Sequence, residues 1–199
     1  MTRTLSQITE TSSGWRRTFL RVALPALALL WCAVCYADLT PSQVTTFRTA
    51  LLAETDPALV AARTSGQVGV IRAWYSQPAT PAFQIWRWDV TAEETGNAWV
   101  GTDIDGMSAL NMQRLQLLLA SAPSGIFDMT RTDRRAGFEN PFGTNQNNGS
   151  RVAMRSAWQR AATRIEKLFS SGTGTVASPG DTVIRSPLTE DDVRAALFP

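Results

Sequence analysis

The chain has 199 residues, 44% hydrophobic and 18% charged, which suits one globular domain with a short appendage. Its formal charge of +2 is uneven: residues 1–37 hold Arg3, Arg16, Arg17 and Arg21 against Glu10, leaving a nearly neutral remainder that is not built to hold nucleic acid by bulk charge. There is no histidine and both cysteines, Cys32 and Cys35, lie in the N-terminal stretch, so residues from Asp38 onward exclude a Ser–His–Asp triad, a cysteine nucleophile, a His/Cys zinc site and a disulfide framework.

Arg16, Arg17 and Arg21 precede an apolar run from Val22 to Ala37. Basic flank, short apolar core and the Cys35-Tyr36-Ala37 exit resemble a secretory signal peptide cut before Asp38; the alternative is a misassigned N-terminal extension. The run is too short for a permanent membrane span, which needs about 20 residues. Neither cysteine sits in a lipoprotein box, because Trp31 and Val34 precede them. Both alternatives put the start of a single domain at 38, giving segments 1–37 and 38–199.

Thr40-Pro41-Ser42-Gln43 predicts a helix start, with Thr40 as N-cap, Pro41 in the first turn and Gln43 closing a capping box. Val44, Phe47, Leu51 and Leu52 supply its buried face. A second helix runs from Pro57 to about Arg63 and stops at Thr64-Ser65-Gly66; a third covers about Gln67 to Tyr75. The prolines of Gln77–Pro81 keep that segment extended. Trp74, Trp86 and Trp88 then form the densest aromatic cluster of the chain. Two readings stay open: a core corner whose indole N–H groups meet backbone acceptors, or a stacking platform for a sugar, a base or a partner helix.

Thr91-Ala92-Glu93-Glu94 is a second capping box, opening a short helix. Gly101–Gly106 carries a fragment of a calcium-loop pattern, but Gly101 replaces the first acid and Met112 the bidentate glutamate, so Asp105 is read as the cap of a helix Gly106–Ala120. Met107, Leu110, Leu117 and Leu118 are its expected anchors. A short helix over about Arg131–Glu139 and an exposed loop, Asn140–Gly149, come next.

Met154, Trp158, Ala161, Ile165 and Leu168 recur at helical steps, with Ser150 as N-cap and Gly172 as stop. They predict a spine helix of about 30 Å, at about 1.5 Å per residue. Arg151, Arg155, Arg160 and Arg164 give it a cationic side, which either meets an acidic partner or nucleic acid, or pairs with neighbouring acids. The Ser170–Thr175 stretch lacks the Lys-Ser/Thr end of a phosphate loop and follows a helix. Val183–Arg185 predicts a short strand or hairpin arm, and Thr189 caps a closing helix, Glu190–Leu197. The expected fold is mostly α: a compact multi-helix domain with one long C-terminal spine helix and at most a short β-hairpin.

Four stretches resemble a family of small proteins encoded by tailed bacteriophages and prophages: LTPSQVTTFRTALLAETDPA, AWYSQPATPAFQIWRWDV, DRRAGFEN and, most specifically, AATRIEKLFSSGTGTVASPG. Members look like Y-N-x-P-A-x-P-x-F-x-V-W-R followed by A-T-R-x-E-K-L-[FY]-A-T-G-T-G, and begin near the Leu39 equivalent. Here Ser76 replaces the usual asparagine, and Val183–Leu188, with Pro187, replaces a family strand. The resemblance implies a non-enzymatic structural or assembly protein of the head–tail connector or tail region. Its partners would be phage structural proteins or further copies of itself, without cofactor, small-molecule substrate, specific nucleic acid or permanent membrane span. It would sit in the virion or host cytoplasm, or in the periplasm as an exported protein if residues 1–37 are a signal peptide. A hydrolase working through carboxylates such as Glu93, Glu94, Asp103 and Asp105 is the remaining class. The candidate partner contacts are Trp74, Trp86, Trp88, Arg151, Arg155, Arg160 and Arg164.

Overall fold

Short polar side chains decide where most helices of this chain begin. The computed structural model describes residues 39–122 and 124–198, all within one unit, Asp38–Pro199; the segment 1–37 expected as signal peptide or extension lies outside the described residues. Among the described residues three helices come first: α1 (Pro41–Ala53), α2 (Pro57–Thr64) and α3 (Val68–Tyr75). The chain then runs through β1 (Gln84–Trp86), β2 (Val90–Thr91), α4 (Ala92–Asn97), α5 (Gly101–Asp105), α6 (Ala109–Ala120), β3 (Ile126–Phe127) and α7 (Thr132–Glu139). After these follow α8 (Gly149–Ala157), β4 (Gln159–Ala161), α9 (Arg164–Leu168), β5 (Ser170–Ser171), β6 (Asp181–Thr182) and α10 (Glu190–Leu197). The fold is mostly α. Reciprocal capping boxes start α1 (Thr40 and Gln43), α4 (Thr91 and Glu94), α9 (Thr163 and Glu166) and α10 (Thr189 and Asp192). Asp56 starts α2 by accepting from the Ala58 and Leu59 amides. No described helix is long and apolar enough to cross a membrane.

Two cores result. The first joins α1, α2 and α3 to α9 and α10, with Phe47, Leu51, Leu59, Ile71, Ile165 and Val193 buried together. Phe47 meets Tyr75 edge-on, ring centroids 4.9 Å apart. The start of the described chain is tied to its end: the Leu39 amide donates to Asp192 Oδ1 at 2.7 Å, and Arg48 Nη1 to the Ala196 carbonyl at 3.1 Å. The second core lies entirely within residues 86–158, around fully buried Trp158 with Phe127, Phe138, Leu115 and Met154. The Trp158 indole N–H finds Thr95 Oγ1 at 3.2 Å. Antiparallel pairing of β1 with β4, Gln84 opposite Ala161 and Trp86 opposite Gln159, marks where the chain enters and leaves that second core.

The long spine helix is not formed. Helix α8 ends at Ala157, β4 is extended against β1, and α9 starts afresh behind Thr163. The apolar steps of four and three that suggest one helix are met by two helices and a strand, and Ala162 is buried where Ala161 was expected. The backbone of β1 needs ladder partners on both edges; Gly174 and Gly180 serve one, and the middle of the expected spine serves the other. Asn148, not Ser150, caps α8; Ser150 instead donates to Asp103 and accepts from the Val100 amide. Gly172 does adopt a left-handed conformation, at φ 91°, but after β5 and not at a helix end.

Three two-stranded antiparallel sheets replace the single short hairpin: β1 with β4, β2 with β3, and β5 with β6. The expected strand Val183–Arg185 lies one step downstream of the real one. Helix α6 is capped by Ser108, while Asp105 ends α5. Its leucines populate both faces, so spacing could not choose between them: Leu115 is buried, whereas Leu110 and Leu117 are 58% and 64% exposed. The loop expected over Asn140–Gly149 is anchored by a 3-10 turn, Asn140–Phe142, with Phe142 in the second core.

Candidate functional site

Helix α9 has only five residues, too few to persist by themselves, so its start is held by other contacts. The Thr163 amide donates to Glu166 Oε2 at 2.8 Å and the Glu166 amide to Thr163 Oγ1 at 3.3 Å. Arg160 Nη1 reaches the same carboxylate oxygen at 2.8 Å. Burial by itself would raise the Glu166 pKa; the hydrogen bonds from Arg160 and Thr163 outweigh it and hold the carboxyl below its ordinary value. The segment preceding β1 runs alongside. Ala79 donates to the Ala162 carbonyl at 2.9 Å, Arg164 to that of Gln77 at 2.9 Å, and Ala162 to that of Phe83 at 2.8 Å.

Those backbone bonds set Arg164 over Trp74, with the guanidinium carbon 3.8 Å from the indole centroid, a cation–π stack. The stacked pair lines a cleft of about 570 Å³ between α1, the end of α3, residues 79–80 and α9. Tyr75 and Leu168 add apolar surface, and Glu54 and Lys167 add charge. Its donors are conspicuously unengaged. The Arg164 guanidinium and the Tyr75 hydroxyl donate to no described residue, and the Trp74 indole N–H is buried without an acceptor. Lys167 Nζ donates to the Pro81 carbonyl at 3.1 Å, which leaves further ammonium protons free. Among the described residues Glu54 accepts only from the Thr55 amide, at 3.2 Å. Burial, then the Glu54 charge, push the Tyr75 pKa up to about 12 against the opposing influence of Arg164 and Arg63, so the hydroxyl stays a donor. With two cations, one acid and half-apolar walls, the cleft is suited to bind a group rich in acceptors.

The other expected contacts are dispersed. Trp86 packs on the second core beneath Arg135, whose guanidinium carbon is 4.3 Å from the ring centroid. Trp88 shares a separate cleft of about 350 Å³ with Arg160 and Glu166. The continuous cationic side expected along the spine is absent because the spine is broken. Arg151, 5% exposed, is internal: its Nη2 lies 2.7 Å from Glu139 Oε2 and its Nη1 donates to the Gly143 carbonyl. Arg155 grips the same carboxylate, with Nε 2.7 Å from Oε1 and Nη2 2.6 Å from Oε2. Arg160 is likewise engaged by Glu166. Among the sequence-derived candidates, only Trp74 and Arg164 come together with free donors.

Two of the four acids considered for hydrolysis, Glu94 and Asp103, have partners of their own. Glu94 closes its capping box and pairs with Arg87 at 2.8 Å, which lowers its pKa, and Asp103 is lowered by the Ser150 hydroxyl. Sequence reasoning missed Glu54 and the cleft role of Tyr75. Lys167 was within reach, because three positions after Arg164 on a helix is the same side; for Glu54 no local signal exists. Compared with protein-family models, curated proteins and solved structures, the chain matches none.

Proposed function

We propose that this chain is a non-enzymatic structural or assembly component of a tailed-phage particle, working by protein–protein contact in the head–tail connector or tail region. One observation carries the reading. Two of the stretches on which the phage resemblance rests run side by side, and the cleft draws Trp74, Tyr75, Ala79 and Thr80 from one and Arg164, Lys167 and Leu168 from the other, with Ala50 and Glu54 from a third. Part of each stretch thus lines one cleft whose donors have no acceptor among the described residues, which supports reading it as a recognition surface.

The test is quantitative peptide mass spectrometry on purified particles beside whole lysate. Peptides from 38–199 enriched in particles at a level comparable with other minor structural proteins are the expected result. Their absence from particles, with a mature N-terminus at Asp38 in the periplasm, would overturn the reading in favour of an exported protein acting on the host.

A further inference from the structure

We infer that the Trp74–Arg164 cleft docks a glutamate- or aspartate-bearing segment of a protein partner, with the partner carboxylate received by Arg164 and Lys167. The inference rests on the proposal that the chain works through protein contact. Arg164 presents its planar fork unpaired while its face is already fixed by stacking on Trp74, which leaves its N–H edge available for a carboxylate. Lys167 is three positions on along α9 and lines the same cleft. The Tyr75 hydroxyl adds a neutral donor on a side chain that is 95% buried.

Glu54 decides which anion fits. Its carboxylate lines the same cleft, so with Arg164 and Lys167 the cleft's net charge is +1, which matches a single carboxylate and falls short of a dianion such as phosphate or of any polyanion. Toward a peptide the same group is an acceptor for a backbone N–H near the bound carboxylate. Paired donors with one acceptor, set between Trp74, Tyr75 and Leu168, match the pattern of an acidic residue within a peptide chain with an apolar neighbour. A cleft of about 570 Å³ is of the size that takes a few side chains.

The experiment is a titration of the full chain, labelled with ¹⁵N, with three probes. They are an acetylated and amidated pentapeptide with glutamate between leucines, its glutamine counterpart, and inorganic phosphate. The indole N–H resonance of Trp74, assigned with Trp74→Phe, is followed. The glutamate peptide should shift it saturably and bind about tenfold or more tightly than either other probe, one carboxylate contact being worth that much. Arg164→Gln should remove most of this preference, and Arg164→Lys should restore only part, because a lysine keeps the charge and loses the fork. Equal binding of the glutamine peptide, phosphate binding at least as tightly, or an unmoved Trp74 resonance would each overturn the inference. Particles that contain the chain while the peptide has no effect would sink only this docking site; a peptide that binds while particles lack the chain would sink only the particle reading.

Discussion

Around Phe47 the chain buries helix faces gathered from residues 39–75 and 165–197; around Trp158 it buries residues from one continuous stretch, 86–158. The first core has an apolar interior, and its polar groups sit at helix ends. Asp192 is buried while accepting from Leu39 and Thr189, and Arg63 donates to the Leu51 and Leu52 carbonyls at the end of α1. The second core mixes helices with short strands and irregular connections, and charge enters it. Glu139 and Arg151 are both buried there, Arg151 reaching the Gly143 carbonyl, and Arg135 donates to the Met129 and Thr130 carbonyls. The difference follows from backbone accounting. Helix interiors satisfy their own amides and carbonyls, whereas irregular connections leave carbonyls inside, here those of Met129, Thr130 and Gly143, that a long donor must reach.

The largest test of this contrast is Glu139→Gln, which leaves Arg151 with no counter-charge in the interior and should cost about 3–5 kcal/mol in urea unfolding. The parallel change in the first core, Asp192→Asn, keeps one amide oxygen as acceptor and should cost about 2 kcal/mol. Equal losses would erase the distinction. At the joint between the cores, the ring of Phe83 lies against Gly174 and Gly180. A Cβ on Gly174 would sit 2.1 Å from that ring at φ +64°, so Gly174→Ala should destabilise by about 3 kcal/mol.

In the first core, Tyr75 predicts an alkaline limit. Its folded pKa, about 12, lies above the ordinary value of 10.0, so its contribution is complete below pH 10 and is lost as pH rises through 12. Stability should fall by about 2–3 kcal/mol over that range, and the fall should be missing in Tyr75→Phe. The smallest effect expected is that of Thr189→Ala, about 1 kcal/mol for the lost cap of α10, read as a shift in the midpoint of urea unfolding.

What could be read in advance divides along the same line. Thr40 with Gln43, Asp56 before Pro57, Thr91 with Glu94 and Thr189 before Glu190 each announce a helix start through groups within four residues. Thr163 and Glu166 carry the same signal in the middle of the expected spine, where the apolar stepping of Trp158, Ala161 and Ile165 masked it. That stepping is degenerate: a turn of helix, a three-residue strand and a new helix bury nearly the same positions. β4 was illegible because its reason for being extended lies in Gln84–Trp86, far away along the chain. The cleft was half legible: Trp74 and Arg164 were singled out, but their meeting depends on Ala79, Gln77 and Phe83 bonding to residues 162–164.

The tie between Leu39 and Asp192 also bears on the order in which the protein can form as it is synthesised. Synthesis proceeds at about 5–20 residues per second, and most chains consolidate from the N-terminal side. Here α1, α2 and α3 emerge early yet wait for Ile165, Val193 and Ala196 to cover them, while every residue of the Trp158 core has already been made. The Trp158 core can therefore settle first, and α1, α2 and α3 stay open until Ile165, Val193 and Ala196 arrive.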